Sequence, residues 1–377
     1  MGRKMKRFLA FVGVFFIVLI AGYLQPVFFP AEKVQQEADR GSATVSHTAL
    51  PYEEISTSGY AAYIGKKATD FVTDFGEPIE KQKSGTGYEL WIYGEKDADY
   101  LELNIVNEDI AVIKAFNNSK EVTPFSIGMK LSDVSELMTI YSNFAFTYKE
   151  NKYDIELMEE DMNYRPLIAF DNKTFAILFF NHGTGRLSAV TYLNKETLLT
   201  LMPYQLLEGE VIPFSTIEQS TGFDAVKSNQ VIRTINLLKL KEGLPTYHVN
   251  TESQKNAQKL FETLTKNQKN ILSSERAETW QFSKEQMTAA AIFTLTNDEY
   301  QKLLKVGQLD KKKATGMFTE PVYDPTITVL SWFSDSLYHS RFAHQENENI
   351  GVAFSKASVL VLLQETEKEI SQTEESE

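Results

Sequence analysis

The sequence contains no cysteine among its 377 residues. This absence excludes disulfide bonds, zinc sites with thiolate ligands and cysteine nucleophiles together. The chain also lacks an HExxH motif, a Gly-rich phosphate loop, a dinucleotide-binding fingerprint and a Gly-x-Ser-x-Gly elbow. None of these motifs therefore predicts metal-dependent or nucleophilic catalysis, and we predict no cofactor and no metal site.

Basic residues are outnumbered by acidic ones. The chain has 38 Lys and Arg against 51 Asp and Glu, which gives a formal net charge of -13. Since no local basic patch offsets this charge, a nucleic-acid backbone would be repelled. We predict no nucleic-acid partner. The hydrophobic content of 42% is enough to form the hydrophobic cores of folded domains in a chain of this length.

Long apolar runs are absent except at the N-terminus. Residues 8–29 carry no charge and follow a basic start at residues 1–7. The uninterrupted apolar stretch from Phe8 to Leu24 is at the short end of what spans roughly 30 Å of hydrocarbon. We predict a single-pass anchor in the cell membrane within residues 1–29, with the N-terminus cytoplasmic and the rest extracytoplasmic. A cleaved signal peptide is the alternative, although no Ala-x-Ala-like site follows.

Residues 30–58 are polar and predict a linker. After it, YIGKKATDFVTDFGEP at residues 63–78 is similar to SIGMKLSDVSELMTIY at residues 126–141. A repeat of this length predicts duplicated supersecondary units, here about 60–120 and 121–210 in a domain at 59–210. In each unit the Ile-Gly pair leads into a short helix and then into strand-like runs. We predict an α+β fold with a duplicated module, each copy a helix against a small antiparallel sheet.

The second half of the chain predicts two amphipathic helices. Apolar residues at helical spacing precede the stop signal formed by Gly243 and Pro245. A second helix begins at Thr251, which has capping-box spacing to Gln254. We place a second domain at residues 220–364 and an acidic, disordered tail at 365–377.

These residues carry a resemblance to the CAP superfamily, the cysteine-rich secretory, antigen five and pathogenesis-related proteins, also called SCP-like. The first helix and its break match the start of bacterial members, and residues 331–354 are similar to their Trp-x-x-Ser-Pro-x-His-Arg segment and Ile-Gly-x-Gly strand. The matching positions are Asn236, Gly243, Leu244, Pro245, Ala257, Ser336, His339, Ile350 and Gly351. The resemblance implies an α-β-α sandwich at residues 220–364.

The first domain resembles the CAP-associated N-terminal domain, which precedes CAP domains in membrane-anchored proteins of Gram-positive bacteria. The resemblance is carried by the Ile-Gly start, the Phe-Gly-Glu-Pro turn and the strand containing Trp91 and Tyr93. It implies no activity.

The CAP-like domain departs from the family at positions that matter for chemistry. Leu260 stands where the family has its first site histidine, Phe333 where it has tryptophan, and Ser340 where it has arginine. No Gly-Glu-Asn segment lies between residues 284 and 325. The resemblance therefore implies a degenerate cleft, in which His339 is the one candidate catalytic residue. The candidate cleft-lining residues are Asn236, Leu260, Phe333, Ser336 and His339.

His339 permits two interpretations. With His344, Glu346 and Glu348 it could contribute to a metal site. Zinc, however, requires three protein ligands that are oriented by further hydrogen bonds. Alternatively it packs and hydrogen-bonds within its domain, which we favour. His182 lies in a predicted turn, where we expect it to be solvated.

These patterns predict a non-enzymatic binding or scaffolding protein at the outer face of the membrane. Its partners would be the membrane, through the N-terminal helix, and an envelope component or a partner protein. The alternative is a hydrolase or metal-dependent enzyme that acts on cell-wall material through the CAP cleft around His339. A carrier of a lipid or sterol-like ligand is a third possibility, which a continuous apolar tunnel would distinguish.

Overall fold

The computed structural model describes residues 52–94, 97–214, 218, 220–288, 291–342 and 348–365. The predicted membrane anchor, most of the predicted linker and His344 lie outside these ranges, as do Glu346 and residues 366–377 of the predicted tail. No helix within the described ranges is long and apolar enough to cross a membrane.

The N-terminal module, residues 52–208, contains eleven strands and four α-helices among its described residues. The strands are β1 (Glu54–Ile55), β2 (Glu80–Lys83), β3 (Glu89–Tyr93), β4 (Leu101–Val106), β5 (Asp109–Ala115), β6 (Asn143–Tyr148), β7 (Asn151–Glu156), β8 (Leu167–Phe170), β9 (Phe175–Phe180), β10 (Leu187–Leu193) and β11 (Gln205–Glu208). The helices are α1 (Ala68–Phe75), α2 (Leu131–Leu137), α3 (Glu159–Tyr164) and α4 (Lys195–Leu201).

Strands from both similar segments are joined in one sheet. Eight strands form it in the order β1-β8-β9-β10-β5-β4-β3-β2, and β11-β7-β6 form a separate sheet of three. The junction is the antiparallel pair β5 and β10, in which Val190 lies opposite Ala115. The structure therefore differs from the expected pair of small sheets, because β5, the last strand of the first segment, pairs with β10 of the second.

The two segments begin with equivalent contacts. The backbone N–H of Gly65 donates to the carbonyl of Ile110 at 2.8 Å, and that of Gly128 donates to the carbonyl of Leu187 at 2.7 Å. Both glycines have positive φ, 83° and 95°, which favours glycine at this turn. Each Ile-Gly pair thus fastens the start of its helix to one strand of the central pair. The duplication itself stays a prediction.

The C-terminal module, residues 220–365, contains seven α-helices and five strands among its described residues. The helices are α5 (Thr221–Lys241), α6 (Thr251–Lys266), α7 (Gln268–Ile271), α8 (Ser274–Gln286), α9 (Asn297–Val306), α10 (Pro325–Phe333) and α11 (Ser336–Phe342). The strands are β12 (His248–Val249), β13 (Phe293–Thr294), β14 (Ala314–Glu320), β15 (Asn349–Ser355) and β16 (Ser358–Gln364), in the sheet order β12-β15-β16-β14-β13.

Helices cover both faces of this second sheet. Since side chains alternate along a strand, Val352 and Ala353 point to opposite faces. Val352 belongs to a buried cluster with Ile235 of α5 and Leu330 of α10. Ala353 belongs to another with Leu260 of α6 and Leu303 of α9. The C-terminal module is therefore an α-β-α sandwich.

The two modules share a core. One cluster of buried side chains contains Leu90 and Ile177 of the eight-stranded sheet together with Ile235, Leu330 and Val361 of the C-terminal module. Helix α5 contacts β2, and α10 contacts β9. All described residues belong to a single compact unit. Helices α5 and α10 therefore lie between the two sheets, where they join the modules.

Candidate functional site

The five candidate cleft residues lie in different surroundings. Phe333 and His339 are in contact, with ring centroids 5.8 Å apart. Leu260 is fully buried in the cluster on the opposite face of the sheet. Ser336 is exposed at the start of α11. The structure thus brings two of the five together, and a ligand-binding role for any of them stays a prediction.

The fifth candidate, Asn236, fastens the loop that follows α5. Its side-chain amide donates to the carbonyl of Tyr247 at 3.1 Å and accepts the Tyr247 backbone N–H at 2.9 Å. The chain turns back here after the stop signal at Gly243, whose φ of 72° favours glycine. Asn236 therefore has a structural role that its position on the helix did not reveal.

His339 is held at the boundary between the modules. It is 8% exposed, and its Nε2 lies 2.9 Å from Oε1 of Glu242, the C-cap residue of α5. A carboxylate is unfavourable at the C-terminus of a helix, because the helix dipole is negative there. Asn181 of the N-terminal module donates its side-chain N–H to the same oxygen of Glu242. Two donor-capable side chains, one from each module, therefore compensate this carboxylate.

The turn after β9 covers the imidazole of His339. The backbone N–H of His182 donates to the carbonyl of Phe333 at 2.9 Å, which ties the turn to the end of α10. A Cβ added at Gly183 would lie 2.5 Å from Cε1 of His339. We call Asn181, His182, Gly183, Glu242 and His339 the histidine junction. Its geometry suits the fixing of two modules better than the approach of a substrate.

His182 differs from its predicted state. Its ring stacks on Tyr164 with centroids 4.6 Å apart, and it lies 6.1 Å from the ring of His339. The side chain is half-buried rather than solvated, because α3 and α11 approach the turn from two sides. Within the described residues, no group of three His, Asp or Glu side chains is arranged to hold a metal ion.

Lys239, one turn before Glu242, adds a buried cation to this end of α5. Its Nζ donates to the carbonyl of Phe342 at 3.2 Å and lies 3.9 Å from the ring centroid of Tyr247. Burial lowers the pKa of Lys239, and the charge of Glu242 only partly offsets this effect. Lys239 thus connects α5 to the end of α11.

A second group of charges joins the modules deeper in the core. Nζ of Lys114 on β5 lies 2.8 Å from a carboxylate oxygen of Glu102 on β4 and 2.8 Å from one of Asp324. All three side chains are fully buried. Asp324 also caps α10 by accepting the backbone N–H of Ile327 at 3.0 Å. We call Glu102, Lys114 and Asp324 the lysine junction.

Neutral donors complete the lysine junction. Asn104 donates to Asp324 at 2.7 Å, and the hydroxyl of Thr326 donates to Glu102 at 2.8 Å. Burial alone would lower the pKa of Lys114, but the charges of Asp324 and Glu102 outweigh it, so the pKa of Lys114 is raised. The ammonium group therefore remains charged, and it forms an ion pair with one carboxylate from each module.

An apolar groove of about 190 Å³ opens beside these junctions. Residues of both modules line it, including Leu201, Pro203, Tyr323, Ile327, Trp332 and Tyr338. Tyr338 directly precedes His339 in α11, yet His339 is not among the lining residues. The accessible surface next to α11 is therefore apolar and is not centred on the imidazole.

Comparison with known proteins confirms the predicted resemblance. Residues 64–204 match the model of the CAP-associated N-terminal family. A relative from Bacillus subtilis (strain 168), named uncharacterized membrane protein YlbC, is 26% identical over 193 residues. That alignment covers 50% of this chain, and the chain spans 56% of the relative's length.

Two solved structures have a similar fold. One is an extracellular protein containing a SCP domain from Bacillus anthracis str. Ames, with a TM-score of 0.62 and 19% identity over 84% of this chain and 98% of that chain. The other is a cysteine-rich secretory protein from Staphylococcus aureus subsp. aureus Mu50, with a TM-score of 0.62 and 18% identity over 83% and 95%. At these identities the similarity establishes the fold.

Proposed function

We propose that this chain, which carries a CAP-associated N-terminal domain at residues 64–204 and has the fold of SCP-domain proteins, is an extracytoplasmic binding or scaffolding protein. It is anchored in the cell membrane by residues 1–29, with both modules outside. Its ligand is a polymer of the cell envelope. The name of the Bacillus subtilis relative and the extracellular neighbour from Bacillus anthracis support this location.

One observation carries the non-catalytic part of the proposal. His339 is the one candidate catalytic residue of the CAP-like cleft, and its Nε2 is engaged by Glu242 at 2.9 Å. The turn at Asn181–Gly183 closes the other side, so close that a Cβ on Gly183 would overlap the ring. A general acid or base must come within about 3 Å of its substrate. Here the N-terminal module fills that space, which supports a degenerate, non-catalytic CAP-like cleft.

The test separates binding from turnover on isolated wall sacculi. The full chain and a His339→Ala variant are mixed with sacculi, which are then sedimented, and soluble wall fragments are measured in the supernatant. We expect the wild-type chain to sediment with the sacculi and to release no fragments. The folded fraction of the variant should sediment equally well, because His339 does not face the ligand.

Two results would overturn the proposal. Release of soluble fragments by the wild type, abolished in His339→Ala, would show a wall hydrolase that uses this histidine. Absence of wild-type retention would show that the envelope polymer is not the ligand. The folded fraction is measured by circular dichroism before each assay, so that loss of structure is not mistaken for loss of binding.

A further inference from the structure

A second cavity lies within the C-terminal module, and no residue of either junction lines it. Its volume is about 500 Å³. We call it the tryptophan cavity and define it by Phe261 on α6, Trp280 and Lys284 on α8, Met287, and Glu320 at the end of β14. A concave, mostly apolar site with a few polar groups is the usual form of a small-molecule site.

Trp280 lines this cavity and is 1% exposed. Its ring stacks on Phe293, with centroids 5.6 Å apart and planes at 14°. The edge of Phe318 packs against it at 5.1 Å and 78°. These aromatic neighbours fix the plane of the indole, whose ring faces carry negative π-charge that attracts a cation.

Glu320 adds a buried negative charge to the same site. It is 5% exposed, and its Oε2 accepts the indole N–H of Trp280 at 2.6 Å. Among the residues that the structure describes, no Lys, Arg or His nitrogen forms an ion pair with this carboxylate. A neutral donor compensates the negative charge of a buried carboxylate only in part, which favours the approach of a cation.

Lys284 shows what kind of group this surface attracts. Its Nζ lies 3.6 Å from the centroid of the Trp280 ring, a cation–π contact on the helix that carries both residues. Burial lowers the pKa of Lys284, and the charge of Glu320 only partly offsets this effect. Lys356, the other cation of the lining, is exposed, so water screens its charge.

We propose that the tryptophan cavity binds a small organic cation, whose primary or quaternary ammonium group lies between the ring of Trp280 and the carboxylate of Glu320. In the free protein the ammonium group of Lys284 lies over the ring of Trp280, and the ligand displaces it from there. Phe261 and Met287 contact the apolar part of the ligand. This inference rests on the proposed binding function, for which it names the ligand chemistry.

The experiment is a titration of the full chain, in non-ionic detergent, with choline and with its neutral isostere 3,3-dimethyl-1-butanol, followed by tryptophan fluorescence. We expect saturable binding of choline and about tenfold weaker binding of the alcohol, since a desolvated cation–π contact contributes about 1–2 kcal/mol. Glu320→Gln should weaken choline binding about tenfold or more.

Lys284→Met should instead tighten choline binding about fivefold or more, because the competing ammonium is removed while an apolar side chain of similar length remains. A gain of affinity cannot result from misfolding. Lys266→Met, which removes an exposed lysine outside the cavity, should leave the affinity unchanged.

Equal binding of choline and the alcohol would overturn the proposal, as would no binding of choline to wild type and Lys284→Met alike. Unaltered affinity in Lys284→Met would also contradict it. If any of these results is accompanied by normal retention on sacculi, only the ammonium site is wrong and the binding function stands. If retention is also lost, both fail.

Discussion

The lysine junction and the tryptophan cavity use buried charge in opposite ways. At the junction, Lys114 is 2.8 Å from each of two carboxylates, so the cation and both anions are compensated inside the protein. In the cavity, the carboxylate of Glu320 has a neutral indole N–H as its partner. Charges that are compensated internally hold the modules together. A buried carboxylate whose hydrogen-bond partner is neutral attracts a cationic ligand instead, as proposed for the tryptophan cavity.

In the histidine junction, as in the lysine junction, a buried charge is compensated inside the protein. Glu242 has a partner from each module, Asn181 and His339, and the turn at Gly183 packs against the imidazole. His339 was the strongest candidate for chemistry on sequence grounds, yet its surroundings resemble those of Lys114. In this protein, contacts from the neighbouring module distinguish a structural charged group from a functional one.

Removal of the central cation should have the largest effect on stability. In Lys114→Met, Glu102 and Asp324 remain buried without their counterion, which typically costs about 3–5 kcal/mol. Urea-induced unfolding measured by circular dichroism gives the free energy of unfolding. We expect a loss of this size, and the two modules should separate more readily.

The matched control is Lys266→Met. Lys266 pairs with Glu262 at 2.9 Å, but both side chains are more than half exposed. The loss should stay below about 0.5 kcal/mol, because water screens an exposed pair. Similar losses in the two variants would contradict the special role of the lysine junction.

A smaller effect is expected from Gly183→Ala. The new methyl group would lie 2.5 Å from Cε1 of His339, whose ring is held by Glu242, so either the turn or the ring must move. Overpacking of this kind costs about 1–3 kcal/mol. Thermal unfolding of the variant should show this loss.

Gly222→Ala is the control for this substitution. Gly222 lies in the first turn of α5, and an added Cβ would be in ordinary contact with Ser220 at 3.6 Å. Alanine is the better helix former by up to about 1 kcal/mol, so stability should stay equal or rise. If Gly183→Ala were equally neutral, the turn would not pack tightly on His339.

Local structure could be predicted well from the sequence. The Ile-Gly pairs predicted the short helices α1 and α2, and helical spacing with the stop at Gly243 predicted α5. These signals reflect the chemistry of neighbouring residues along the chain. The pairing of β5 with β10 could not be predicted in this way, since no local pattern specifies which strand edges meet.

The candidate site could be predicted only in part. The resemblance identified His339, and the turn at Asn181–Gly183 was evident from its composition. The contact between His339 and this turn was not evident, because Asn181 and Glu242 are 61 residues apart and belong to different modules. Glu320 and Trp280 carried no motif at all. Their pairing depends on the approach of α8 to the end of β14.

A calorimetric titration of the full chain with zinc is the most direct test of the central claim, that His339 fixes the modules rather than serving an open catalytic site. His339→Gln is the comparison variant, because its amide retains a donor for Glu242. We predict the same heats for wild type and variant, with no stoichiometric site that requires the imidazole. Stoichiometric zinc binding to the wild type that is lost in His339→Gln would contradict the account.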